Sequence, residues 1–217
     1  MRPEIDCTLY LVTDRDLMST ATLEDAVDLA VTGGATLVQL REKTASSLNF
    51  YRTAMNIRQI TDRHNVPLII NDRVDIALAA DAAGVHLGQS DLPVRAVRSI
   101  TGKDKIIGVS VSSAEEALRA QKDGADYLGV GAMFATGTKK NAEHVTMNEL
   151  KNIRSAVKIP IVVIGGISRK NISCFEETGI NGVAVVSALI SSHDIASEAT
   201  ELKKLSLHIQ EDHHAEV

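Results

Sequence analysis

The sequence predicts a single-domain α/β protein, a (β/α)8 TIM barrel, from three observations. Short, almost wholly apolar runs alternate eight times with stretches of helical periodicity along 217 residues. Strands that apolar must be covered on both faces, which implies parallel pairing with helices outside. The polar and charged residues gather at the C-terminal ends of the runs, the face on which such barrels carry their sites. At this length the fold leaves room for one core and lean loops.

The first strand is predicted over 8–13, Thr-Leu-Tyr-Leu-Val-Thr, closed by Asp14, Arg15 and Asp16. Thr22 to Asp25 reads as a capped helix start, and Ala26, Leu29 and Ala30 keep helical spacing until Gly33 and Gly34. The second strand follows at 35–38 and leads into Gln39, Leu40, Arg41, Glu42 and Lys43. Ser46 or Ser47 caps a long helix through Phe50, Ala54, Ile57 and Ile60. A third strand at 67–70 ends in Asn71 and Asp72, before an alanine-rich helix over 73–83. The fourth, 84–87, opens into Gly88, Gln89, Ser90 and Asp91 ahead of a short helix at 93–100. The fifth, 106–109, is followed by Ser110 and by a helix over 114–122. The sixth, 125–130, opens into a long loop over 131–144, after which Thr146 and Glu149 are spaced as a capping box for a helix to Val157. The seventh strand, 160–164, ends in Gly165 and Gly166, and the eighth, 181–186, ends in Ser187. Residues 1–208 are therefore read as the barrel, and 209–217 as a polar, aperiodic tail expected to be disordered.

With 23 basic and 28 acidic residues the net charge is −5, so no global positive field exists to hold nucleic acid or an anionic membrane, and any anion site must be local. Cys7 and Cys174 lack metal-type or redox-type spacing and read as buried thiols in a reducing compartment. The N-terminal residues carry no apolar core of a leader, and no run has membrane-spanning length, so a cytoplasmic location is expected. Whether copies of the chain form a homo-oligomer is left open.

The strand ends suggest a polyphosphate site. Arg41 offers a planar fork for bidentate contact, whereas Lys43 and Lys139 act as mobile point charges. Asp72 and Asp91, on neighbouring strand ends, suit Mg2+, which is held by one or two carboxylates together with substrate phosphate oxygens and water. Taken singly, each acid reads better as the cap of the helix after it, and only together with Arg41, Lys43 and Lys139 does the metal reading stand ahead. Gly165 and Gly166, with Ser187 after the next strand, occupy the place where barrels receive a phosphate on backbone N–H groups, although a tight turn alone would also explain them. The loop Thr136-Gly137-Thr138-Lys139 adds hydroxyls and an ammonium group. Two anion sites result, one with acids for a metal-bound diphosphate and one without, for a monophosphate. His86 faces opposite to Val85 and Leu87 and reads as a hydrogen-bonded structural residue.

The ordered set Gln39-Leu-Arg-Glu-Lys43, Asn71-Asp72, Gly84-Val-His-Leu-Gly-Gln-Ser-Asp91, Gly108-Val-Ser110, Thr136-Gly-Thr-Lys139, Gly165-Gly166 and Val186-Ser187 resembles the thiamine phosphate synthases over nearly the whole chain. That resemblance implies condensation of a hydroxymethylpyrimidine diphosphate with a thiazole phosphate, releasing pyrophosphate with Mg2+. It implies that Gln39, Leu40, Arg41, Glu42, Lys43, Asn71, Ser110 and Lys139 hold the pyrimidine diphosphate, with Arg41, Lys43, Ser110 and Lys139 catalytic. Asp72 and Asp91 would hold the metal, and Thr136, Gly137, Thr138, Gly166, Val186 and Ser187 the thiazole phosphate. Ala135 stands where the family usually has a proline, so this loop is expected to be less constrained. Two rivals stand beside this reading. A related thiazole tautomerase would carry a histidine where this chain has Ser110, and a non-catalytic barrel binding phosphometabolites would give no reason for paired acids facing basic residues.

Overall fold

Eight short strands, β1 (Leu9–Val12), β2 (Leu37–Leu40), β3 (Leu68–Asn71), β4 (Gly84–Leu87), β5 (Ile106–Val111), β6 (Tyr127–Val130), β7 (Ile161–Ile164) and β8 (Gly182–Val185), pair in parallel and close on themselves in sequence order. The seam is the β1–β8 pairing, with Tyr10 opposite Ala184. Helices α1 (Leu23–Thr32), α2 (Ser47–Arg63), α3 (Val74–Ala79), α4 (Val94–Thr101), α5 (Ala114–Asp123), α6 (Met147–Ala156), α7 (Ser187–Ile190) and α8 (Ile195–Glu211) form the outer layer. Between β7 and β8 the described chain has only a short 3-10 turn, Ile172–Phe175. The computed structural model describes residues 5–135, 137 and 144–211. The predicted fold class is the observed one.

The strands alternate strictly between two cores. Leu9, Leu11, Val38, Leu40, Val85 and Leu87 pack outward under the helices. Tyr10, Leu37, Ile69, Ile106, Tyr127 and Val162 fill the inside of the barrel. The helices begin where the sequence offers capping hydroxyls: Thr22, Ser46, Ser113 and Thr146 each accept the backbone N–H three residues on. The Thr146 and Glu149 box closes on one side only. Glu149 turns its carboxylate to the N–H of Ala114 at the start of α5, 2.8 Å away, and so ties two adjacent helices together.

Three expectations are adjusted. Strand β5 runs on through Ser110 to Val111, whereas α3 stops at Ala79, short of the predicted end. Helix α8 continues to Glu211, past the predicted boundary at 208, because Ile209 returns to the core on the helical period and is 3% exposed. Cys7 is buried, and burial, followed by the charge of Asp6, pushes its thiol up to about 12, but Cys174 is exposed at the 3-10 turn rather than buried.

Inside the barrel, Gly108 is what allows Tyr127 to lie across its neighbour. A methyl group there would stand 2.1 Å from Tyr127 Cζ. Gly108→Ala is expected to cost roughly 1–3 kcal/mol of stability through overpacking. A lower urea midpoint at unchanged slope would register it, and a midpoint equal to the parent's would refute it.

Candidate active site

The cavity at the C-terminal mouth of the barrel has a volume of about 710 Å³ and is lined by residues from every strand end. The inward half of the β2 sequence supplies Gln39, Arg41 and Lys43, because they follow Leu37 at the two-residue period. Arg41 is fixed from β1, its backbone N–H bonding Thr13 Oγ1 at 3.0 Å and its guanidinium reaching Asp14 Oδ2 at 3.3 Å. Lys43 Nζ lies 2.5 Å from Asp72 Oδ2.

Leu40 and Glu42 do not offer side chains to a ligand, contrary to their place in the expected diphosphate set. Leu40 points outward and is fully buried beneath the helices. The Glu42 carboxylate accepts both Nε and Nη2 of Arg15, at 3.0 and 2.5 Å. Alternation explains both positions, since the residues between the cavity-lining Gln39, Arg41 and Lys43 must face away. The result is a pair of reciprocal ties, Asp14 to Arg41 and Arg15 to Glu42, holding the loops after β1 and β2 side by side.

Asp72 lines the cavity mouth, and Asp91 stands beside it without itself lining the cavity. Asp72 sits in the left-handed backbone region, φ +61°, with its N–H bonded to His86 O at 2.8 Å. Neither acid caps the next helix: α3 begins after Arg73 and α4 after Pro93, without a side-chain cap in either case. Asp91 instead accepts the Gly88 N–H at 2.6 Å and faces the Asp72 carboxyl. Partial burial raises Asp91 above the usual carboxylate range, opposed by the Gly88 N–H and reinforced by Asp72. Two hard oxygen donors side by side, beside the phosphate-type donors Arg41 and Lys43, fit a Mg2+ ion shared with substrate phosphate.

The opposite rim is built from β7 and β8. Gly165 and Gly166 both have positive φ, +102° and +65°, so the turn requires residues without a Cβ. A methyl on Gly166 would stand 2.7 Å from Ala135 O and 2.9 Å from Phe134 Cβ. Gly166, Val186 and Ser187 line the cavity together, as anticipated. Gly137 is exposed, with nothing within 4 Å of where its Cβ would be. Thr136, Thr138 and Lys139 lie outside the described residues.

Asn71 and Ser110 complete the wall between the two rims. His86 is hydrogen-bonded as expected, with Nδ1 at 2.9 Å from Tyr127 Oη and Nε2 at 2.9 Å from Ser110 Oγ, but it also lines the cavity. Tyr10, Val12, Gln89 and Glu116 line it too and were not anticipated. Strand alternation could have found Tyr10 and Val12, which share the inward face. Gln89 and Glu116 lie on a loop and a helix, where periodicity does not say which side chain turns inward.

A closed parallel barrel whose C-terminal mouth gathers paired acids and cations at one rim and a glycine turn at the other is an enzyme of the (β/α)8 class that handles phosphorylated substrates. The chain belongs to the thiamine monophosphate synthase family, whose profile matches residues 9–189. It is 63% identical over 203 residues to the thiamine-phosphate synthase of Clostridium beijerinckii, covering 94% of this chain and 97% of that one. It is 60% identical over 205 residues to that of Ruminiclostridium cellulolyticum, with coverage of 94% and 98%. Among solved structures it is similar to thiamine phosphate pyrophosphorylase from Pyrococcus furiosus, with a TM-score of 0.87 at 40% identity, covering 94% and 97% of the two chains.

Proposed function

We propose that the barrel joins an aminopyrimidine, carried as its hydroxymethyl diphosphate, to a thiazole phosphate, giving thiamine monophosphate and pyrophosphate. The observation that carries this reading is one cavity shared by two separate rims suited to anions, Arg41 with Lys43 and Asp72 on one side, with Asp91 behind Asp72, and Gly166 with Val186 and Ser187 on the other. One rim takes the diphosphate, the other the monophosphate, and the two rings meet between them.

The reaction asks for a leaving group rather than a base. The methylene C–O bond of the pyrimidine breaks with its electron pair leaving on pyrophosphate, and the thiazole nitrogen then donates its pair to that carbon. Arg41 and Lys43 line the cavity and place positive charge where negative charge develops. Mg2+ held by Asp72 and Asp91 would neutralise further charge on the leaving phosphates. The apolar side of the cavity, Val12, Val162, Ile164 and Ala184 from β1, β7 and β8, excludes water that would otherwise capture the pyrimidine cation. Lys139 is assigned to the same leaving group, and Thr136 and Thr138 to the thiazole phosphate, on the family resemblance. A cytoplasmic location agrees with an exposed free Cys174, and no described helix is long and apolar enough to cross a membrane.

The test mixes both substrates with and without Mg2+. Thiamine monophosphate formed only with the metal is the expected result; isomerisation of the thiazole alone, or saturable binding without turnover, would replace the reading. Metal binding should also depend on pH. Because the folded-state pKa of Asp91 is raised, the metal-free fold holds its proton more tightly than the unfolded chain does. Its contribution is therefore present at low pH and lost as pH rises through the window up to the raised pKa. Mg2+ needs the ionised acid, so the rise in Tm on adding Mg2+ should be small in acid and grow through that window. Asp91→Asn should abolish the trend, and a Tm gain independent of pH would count against the metal assignment.

A further inference from the structure

Five side chains from five different strands form an unbroken hydrogen-bonded row across the floor of the cavity. Gln39 Nε2 donates to Tyr10 Oη at 2.7 Å, Tyr10 Oη lies 2.7 Å from Tyr127 Oη, Tyr127 Oη lies 2.9 Å from His86 Nδ1, and His86 Nε2 lies 2.9 Å from Ser110 Oγ. Barrel register puts them together: His86 is level with Gly108, Gly108 with Tyr127, and Ser110 with Gly129. The two glycines open the space, since a methyl on Gly129 would stand 3.2 Å from His86 Cε1 and one on Gly108 would overlap the Tyr127 ring. Only the two ends of the row, Gln39 and Ser110, belong to the expected substrate set.

The two tyrosines, His86 and Ser110 each have one proton to pass along the row, which can therefore run either way. In the direction that starts from Gln39, Tyr10 Oη accepts from the Gln39 amide, the Tyr10 hydroxyl donates to Tyr127, and the Tyr127 hydroxyl donates to His86 Nδ1. An imidazole that accepts at Nδ1 carries its proton on Nε2, so His86 donates to Ser110 Oγ. The hydroxyl hydrogen of Ser110 is then not used within the row, nor is Gln39 Oε1 at the other end, and both residues line the cavity. Burial pushes both tyrosines upward, which keeps them as donors throughout the working range.

We propose that Tyr10, Tyr127 and His86 are positioning residues that fix the polarity of the cavity floor, so that Gln39 presents an acceptor and Ser110 a donor to a ring bound between them. The ring that fits offers an N–H on one edge and a lone-pair nitrogen on the opposite edge, as an aminopyrimidine does. An oxo group in place of the amine would set oxygen against Gln39 Oε1, and a site built to pair with an N–H rejects the analogue lacking it. The choice of ring rests on the proposed function, whereas the direction of the row does not.

Nitrogen NMR of the full chain labelled with 15N-histidine reads the direction, with the His86 signals assigned by their loss in His86→Gln. The expected result is a single Nε2-protonated tautomer, giving way to a tautomer mixture in Tyr127→Phe, or in Tyr10→Phe should the first variant fail to fold. A wild-type His86 protonated on Nδ1 means that the row runs the other way and overturns the proposal. The kinetic readout is kcat/KM for the 4-amino pyrimidine diphosphate against its 4-oxo analogue. Discrimination should fall about tenfold in Tyr127→Phe, the scale of one hydrogen bond, while KM for thiazole phosphate stays within about twofold. Unchanged discrimination in that variant also overturns the proposal. Absence of turnover with either ring in the wild type would overturn the proposed function instead and leave the tautomer result to judge the row.

Discussion

Asp72→Asn is expected to lower kcat about a hundredfold or more while moving the Tm of the metal-free protein by only a few degrees. The size follows from loosening the Mg2+ that Asp72 would hold against the leaving group, since loss of one preorganised electrostatic contact to developing charge typically costs 10²–10³ in kcat. Asparagine is the right replacement because Asp72 holds a positive φ of +61°, a conformation that asparagine adopts readily. Alanine would add a backbone penalty of about 1–2 kcal/mol that has nothing to do with the metal. The loss of the Lys43 partner costs little, because both side chains are substantially exposed and such pairs contribute about 0–1 kcal/mol. Steady-state rates across Mg2+ concentrations, set beside thermal melts, check it. A variant with near-normal kcat at saturating Mg2+ would remove Asp72 from the metal site.

The second large effect belongs to the opposite rim. Gly166→Ala is expected to reduce kcat/KM for thiazole phosphate by at least about thirtyfold, with KM for the pyrimidine diphosphate nearly unchanged. Two costs combine: a side chain at φ +65° is strained by about 1–2 kcal/mol, and its methyl would press on Ala135 O and Phe134 Cβ. The chain can relieve both only by moving the turn, which takes its N–H groups away from the phosphate. At 1.36 kcal/mol per tenfold, a displacement worth about 2 kcal/mol accounts for the fall. Equal weakening of both substrates would show instead that the two rims are not separate subsites. The contrast with Asp72 is informative, because one variant acts on the chemical step and the other on a single substrate.

Much of this was legible in the sequence, and for identifiable reasons. The eight apolar runs set the barrel because a strand as uniformly apolar as Ile161–Ile164 is stable only between two covered faces. The polar residues at strand ends marked the mouth, and Gly166, Val186 and Ser187 were found there together. Reading a contiguous motif was less successful within Gln39 to Lys43. A strand end presents alternate residues, so Leu40 went to the helix side and Glu42 to Arg15. Cys174 was misread because the segment between β7 and β8 is a short 3-10 turn, too brief to bury both faces.

By itself, then, the sequence determined the architecture and the chemical character of each rim, since both follow from local patterns of period two and from which side chains close each strand. Only the tertiary structure decided which of those groups meet. Asp72 and Asp91, 19 positions apart, face each other because β3 and β4 are neighbours and because the Gly88 N–H draws Asp91 inward. Arg41 is aimed by Thr13 and Asp14 from the loop after β1. The row from Gln39 through Tyr10, Tyr127 and His86 to Ser110 joins five strands, and it exists only because barrel closure brings distant registers to one level. Contacts of that kind depend on the closure of the sheet as a whole, which no local stretch of the chain encodes.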